Sequence, residues 1–314
     1  MGKVTRRDFL KTSSSLAITA AVSGGRGAFG AEPHIVFPTE PRKRISVASY
    51  PFRDFIEDPR RPGRAGKQAP MPLKDFGAMV VQKFRVNNIE PWSAHFKSTE
   101  PGYCAELRAA FEKGGARVIN IPADISHSVY DPDSAKRTAA IGEGKTWIDV
   151  AVRLGSPSVR VHMAGSRDVK PDVERAAESL RRIADYGASW NVVVNLENDD
   201  LVSEDAFFVV KVIEKVSHPY LHALPDFANS MMSLNADFNY RAVAAMFKHA
   251  YNISHVKEGE DGPNGQFIPV DVEKTFGIAK AAGYRGYFSM EMDRQGDPYA
   301  GTQKLIDLSL QYMA

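Results

Sequence analysis

From residue 45 to the end of the chain, short runs rich in β-branched and aromatic residues alternate eight times with longer stretches whose apolar residues recur at helical spacing. That alternation constrains the fold more than any other feature. The strand-like runs fall at residues 45–50, 86–91, 117–122, 158–163, 191–197, 220–226, 252–257 and 286–291. Helical patterns cover 73–84, 103–113, 135–154, 172–186, 204–216, 240–249, 270–282 and 302–313. Gly114, Gly115, Gly187 and Gly283 stand just before strands, where an αβ loop needs a helix-ending glycine. Eight βα units in a chain of 314 residues predict an α/β protein, a single-domain (β/α)8 TIM barrel over 45–314. An open doubly wound sheet would place a glycine-rich phosphate loop after its first strand, and Ser46-Val47-Ala48-Ser49-Tyr50-Pro51-Phe52 contains no glycine.

The flanking segments read differently. Residues 32–44 are an expected extended lead-in, and 58–72, rich in Pro, Arg and Gly, are an expected long loop over one barrel end. Residues 1–31 carry Arg6-Arg7 in the run Thr5-Arg6-Arg7-Asp8-Phe9-Leu10-Lys11, then a weakly apolar stretch from Ser15 to Val22, then the small residues Ala28 and Ala31. This is the pattern of a twin-arginine signal peptide, which predicts the twin-arginine export machinery as a partner and a periplasmic or otherwise exported protein. The apolar stretch is far shorter than the roughly 20 residues that span a bilayer, so no permanent membrane anchor is expected. Residues 1–31 hold +4 of net charge, which leaves −2 for the rest of a chain whose total is +2. A nearly neutral body has no electrostatic footprint for nucleic acid. The single cysteine, Cys104, excludes an intrachain disulfide and Cys-rich zinc modules. Any metal must be held by His, Asp and Glu.

In this fold chemistry sits where strands end and βα loops begin. The last four strand-like runs carry Glu197, Asp226, His255 and Glu291 near their ends, one per βα unit. Several carboxylates on one rim cannot all stay ionised unless a cation compensates them. Three oxygen donors and one imidazole favour Mn²⁺ foremost, with Co²⁺, Mg²⁺ or Zn²⁺ as alternatives. Lys257 follows His255 by two and points to the same side of the strand, where it would stabilise a developing oxyanion.

These residues carry a resemblance. Glu197, Asp226, His255 and Glu291 match the metal quartet of the xylose isomerase-like TIM-barrel superfamily of sugar phosphate isomerases and epimerases. His255-Val256-Lys257-Glu258 resembles that superfamily's strand-seven signature. The resemblance implies a metal-dependent isomerase or epimerase acting on a sugar or keto-sugar through an enediolate. It also implies that Glu197 and Glu291 move the proton, one on each face of the substrate. Asn229 stands where family members commonly carry a histidine, and Glu258, Glu260 and Asp261 follow His255 where epimerases often place an arginine. These departures keep open a lyase or dehydratase acting on keto-sugars or keto-glycosides. An apurinic endonuclease would need histidines at the Asn229 and Lys257 positions, and neither is there. A non-catalytic sugar-binding barrel is the alternative from another class.

The remaining candidates concern the substrate. Glu90 and Trp92 end the second strand, where a ring packs against a sugar face and a carboxylate binds hydroxyls. Arg160 and His162 alternate with Val159 and Val161, which turns both toward the barrel interior. Asn229 would bind a sugar hydroxyl through its amide. His95, Asp124 and His127 are weaker candidates, and His34, His218, His222 and His249 fall outside the rim. The sequence is compatible with a homo-oligomer.

Overall fold

The computed structural model describes residues 32–61, 70–163, 168–262 and 264–313. The twin-arginine segment and most of the 58–72 loop lie outside the described residues. Parallel strands form two arcs. The first runs β3 (Arg117–Val118), β2 (Asn88–Glu90), β1 (Ile45–Ala48), β11 (Tyr287–Met290), β8 (Ile253–Val256), and the second β4 (Pro122–Ala123), β5 (Ser158–Val161), β6 (Val193–Glu197), β7 (Leu221–Leu224). The arcs join at both ends. β3 and β4 are halves of one strand: Ile119 still donates to Ile89 on β2, while Ile121 already accepts from Arg160 on β5. Pro122, which has no N–H, marks the switch of partner. Between β7 and β8 the bridges Ala223↔Ala250 and Asp226↔His255 complete the ring. The result is the closed eight-stranded barrel, with β9 (Gly259–Asp261) and β10 (Phe267–Pro269) added as an antiparallel hairpin beyond β8 that strand periodicity did not indicate.

Helices α1 (Leu73–Phe84), α2 (Pro101–Lys113), α3 (Ser134–Leu154), α4 (Val173–Ser189), α5 (Ala206–Val216), α6 (Ala236–Phe247), α7 (Val272–Ala281) and α8 (Pro298–Met313) alternate with the strands. Asp133, Asp172, Asp205, Asn235 and Asp271 cap five of them by accepting from backbone N–H groups that the first turn leaves unpaired. Gly115 and Gly283 take the positive φ expected of them. Gly187 does not: it lies inside α4, which runs on to Ser189, and Asn191 supplies the left-handed residue instead. Glycine is needed at 187 because a Cβ there would stand 2.4 Å from the Val192 carbonyl oxygen. Among the described residues no helix is long and apolar enough to cross a membrane.

The inside of the barrel is layered. Ile119, Leu224, Ile253 and Tyr287 form an apolar plug toward the N-terminal end, which Phe37 of the lead-in covers by packing edge-on against Tyr287 and Tyr251. A buried polar chain crosses the interior: Asn195 donates to Asn252, Asn252 to Ser158, Ser158 to Asn120, and Asn120 to Glu90. One end of the barrel is thus sealed. Function is left to the other, where the strands end.

Candidate metal centre

Glu197 is the last residue of β6, His255 lies within β8, Glu291 directly follows β11, and Asp226 follows β7 in register with His255. All four are buried, and one donor atom from each lies within 4.8 Å of the others. His255 Nδ1 faces the carboxylates, 2.8 Å from Glu197 Oε1 and 3.2 Å from Glu291 Oε2. Its other nitrogen, Nε2, is 3.1 Å from both oxygens of Glu90. A proton held on Nε2 by Glu90 leaves the Nδ1 lone pair directed into the carboxylate cluster, as a metal-ligating histidine requires.

Asp226 is fixed from behind. Its Oδ1 accepts from the N–H groups of Ala228 and Asn229, whereas Oδ2 is buried with no hydrogen-bond partner, Lys257 Nζ being 3.7 Å away. A fully buried orphan carboxylate oxygen among two further carboxylates and an imidazole suits a divalent cation, so these residues fit the metal that their chemistry implies. In the metal-free protein the cluster's charges compensate one another. Burial opposes ionisation of Glu197, yet His255 and Arg160 hold its carboxyl well below the usual range. Burial opposes a proton on His255, and Glu291, Glu90 and Glu197 overcome it. Asp226 is pushed up, first by burial, with Glu197 and Glu291 adding to the shift.

Lys257 and Arg160 bring positive charge to different carboxylates of the cluster. Lys257 Nζ donates to Asn229 Oδ1 at 2.6 Å and lies 3.4 Å from Glu291 Oε2. Burial works against its charge, but Asp226, Glu260, Glu291 and Asp293 hold it protonated. Arg160 Nε is 2.8 Å from Glu197 Oε2, so this guanidinium is engaged by the quartet itself. Glu197, Glu291, Lys257, Arg160 and Asn229 border one cavity of about 630 Å³, whereas Asp226 and His255 are not part of its lining.

The family described as xylose isomerase-like TIM barrel matches residues 73–312. The chain belongs to this family. No curated protein sequence matches it. Among solved structures, D-allulose 3-epimerase from Methylomonas sp. in complex with D-allulose is similar, with a TM-score of 0.65 at 15% identity, covering 88% of this chain and 99% of that one. A 3-keto-D-glucoside 4-epimerase from E. coli gives 0.61 at 14%, covering 86% and 98%. A xylose isomerase-like TIM barrel protein from Mycobacterium smegmatis in complex with magnesium gives 0.64 at 17%, covering 86% and 96%. At these identities the likeness is one of fold.

On this xylose isomerase-like barrel the substrate candidates divide. Trp92, Arg160, His162 and Asn229 line the cavity. Trp92 is held by a 2.8 Å bond from Nε1 to Asp124 and by Arg60, whose guanidinium lies 5.3 Å from the ring centroid. Glu90 also reaches the cavity floor, but its carboxylate is taken up by His255 and Asn120 rather than left for a sugar hydroxyl. His95 is buried behind the wall, with Nδ1 2.8 Å from Ser49 Oγ. His127 pairs with Glu143. Tyr50, Arg61, Asp199, Glu260 and Asp293, to which the sequence assigns no site role, line the cavity too. Asp199 and Asp293 each follow a quartet glutamate by two residues, a spacing that could have flagged them.

Proposed function

We propose that the protein is an exported, metal-dependent sugar isomerase or epimerase that enolises a keto-sugar. The observation that carries this reading is that two carboxylates, Glu197 and Glu291, both approach His255 Nδ1, at 2.8 and 3.2 Å, and both line one cavity. Glu197, Asp226, His255 and Glu291 would hold one divalent ion, with Mn²⁺ the best match to the donors. When bound, the ion supplies Lewis acidity to an adjacent carbonyl and hydroxyl. One glutamate takes the proton from the carbon between them and the other, in its protonated form, delivers a different proton to the opposite face. Lys257, kept protonated by its carboxylate neighbours, donates to the oxygen on which negative charge develops. Trp92 offers a ring face to the sugar, and Asn229, His162 and Arg160 offer polar contacts along the walls. A keto-sugar is further supported by the 3-keto-D-glucoside 4-epimerase among the structural neighbours.

The test is solvent exchange. Incubation with D-allulose, other free ketoses and 3-keto-glucosides in deuterated water should place deuterium at the epimerised carbon. Glu291→Gln, which keeps an oxygen donor but removes a base, should lower exchange by roughly 10²-fold or more. Conversion with full retention of the substrate hydrogen would refute enolisation. A lyase remains the second reading, favoured by the departures at Asn229 and after His255, and it would release a leaving group in the same incubation. Export rests on Arg6-Arg7 followed by the weakly apolar stretch Ser15 to Val22 and the small residues Ala28 and Ala31: replacing both arginines by lysine should leave an uncleaved precursor in the cytoplasm, and normal processing of that variant would refute the twin-arginine assignment.

A further inference from the structure

A second group of metal-ligating side chains lies on the wall of the same cavity. His162 follows β5, Asp199 follows β6, and Glu204 stands ahead of α5; one donor atom from each lies within 4.8 Å of the others. Glu204 has no solvent exposure, and its Oε1 accepts from the Met163 N–H at 2.6 Å, which fixes the carboxylate. Its Oε2 has no hydrogen bond among the described residues, although His162 Nδ1 is only 2.6 Å away. Nδ1 has none either, and stands 3.4 Å from Asp199 Oδ2. With a proton on His162 the two are a close ion pair; once that proton leaves, the Oε2 and Nδ1 lone pairs are available to a shared cation.

Two neighbouring carboxylates with an imidazole call for a compensating charge of about +2. Arg160, on the same wall, makes its close contacts with Glu197 and Asp124, so the charge it lends to Asp199 and Glu204 is shared with those two carboxylates. We propose that His162, Asp199 and Glu204 hold a second divalent cation, separate from the one assigned to the quartet. One nitrogen and two carboxylates suit Mn²⁺, Co²⁺ or Zn²⁺. His162 and Asp199 border the cavity, so an ion held by them would be within reach of a substrate hydroxyl or water. Without the ion, a proton on His162 does the compensating. Burial disfavours that proton, but Glu204 and Asp199, against the opposing Arg160, raise the imidazole to about 9. Cation and proton compete for Nδ1, so alkaline buffer favours the cation.

Equilibrium dialysis of the metal-free protein against Mn²⁺ alone in such a buffer, followed by elemental analysis, counts ions per chain. The wild type should bind two at saturation. Asp199→Asn and His162→Ala, at partly exposed positions, should each bind one while melting cooperatively. Asp226→Asn should also bind one, since it removes the quartet's ion only. A single wild-type ion that is lost in Asp226→Asn and kept in Asp199→Asn and His162→Ala overturns the proposal, as do two ions in both Asp199→Asn and His162→Ala. Two ions in Asp226→Asn together with one in Asp199→Asn and His162→Ala would instead count against the quartet and uphold this site.

Discussion

Replacing Glu90 by glutamine should weaken metal binding without altering any metal ligand. Glu90 Oε1 accepts from Asn120 Nδ2 at 2.7 Å, and both carboxylate oxygens stand 3.1 Å from His255 Nε2. Asn120 is held in this orientation by Ser158 Oγ, which donates to its Oδ1 at 2.6 Å. A glutamine must therefore give its oxygen to Asn120 and set its NH₂ against His255. Nε2 then has to accept, which moves the imidazole proton to Nδ1, the nitrogen that faces Glu197 and Glu291. Loss of such a supporting partner typically costs about 10–100-fold in metal affinity. That is about 1.4–2.7 kcal/mol. Calorimetric titration of the metal-free variant with Mn²⁺ should show this rise in Kd, with circular dichroism confirming the fold and excess Mn²⁺ restoring turnover. An unchanged Kd would refute the tautomer argument, and an unchanged Kd with a raised KM for sugar would return Glu90 to the role of substrate contact.

Lys257→Met should cut turnover by roughly 10²-fold while leaving the affinity for Mn²⁺ within a few-fold, because it removes the donor to the developing oxyanion and no ligand; wild-type turnover would exclude that role. Stripping the metal with a chelator should lower the melting temperature, and restoring Mn²⁺ to about 100 times its Kd should regain about 2.7 kcal/mol of stability; calorimetry showing no shift would deny the fit of the quartet. His95 is kept neutral by burial, its imidazole lowered to about 4, so it charges more readily in the unfolded chain. Its share of stability is therefore complete above the ordinary histidine value of about 6.5 and is lost as pH falls from there toward 4, a loss of about 3 kcal/mol at most. Urea titrations across that window should show a shallower pH slope for His95→Asn than for the wild type, and equal slopes would contradict the reasoning. Gly187→Ala pushes a methyl to 2.4 Å from the Val192 carbonyl and should cost about 1–3 kcal/mol by denaturant unfolding, whereas a neutral result would mean that α4 yields at no cost.

What the sequence settled by itself was the periodic part of the molecule. Alternation of strand and helix patterns is local, set by hydrophobic spacing within each segment, and it leads to a ring once eight βα units follow one another. Glu197, Asp226, His255 and Glu291 were legible for the same reason: each lies at a strand end, and the barrel makes strand ends neighbours. Ring closure decided the rest, because it pairs side chains that no local pattern relates. Glu90 and His255 are 165 residues apart, and only their meeting across the barrel shows that a candidate sugar contact also touches the imidazole. Arg160 likewise faces inward by strand alternation, but its partner could be named only once β5 lay beside β6. Gly187 reads as a helix end until Val192 is folded back against it. Asp199 and Glu204 belong to loops, where no period fixes direction, so their convergence on His162 became visible only in three dimensions.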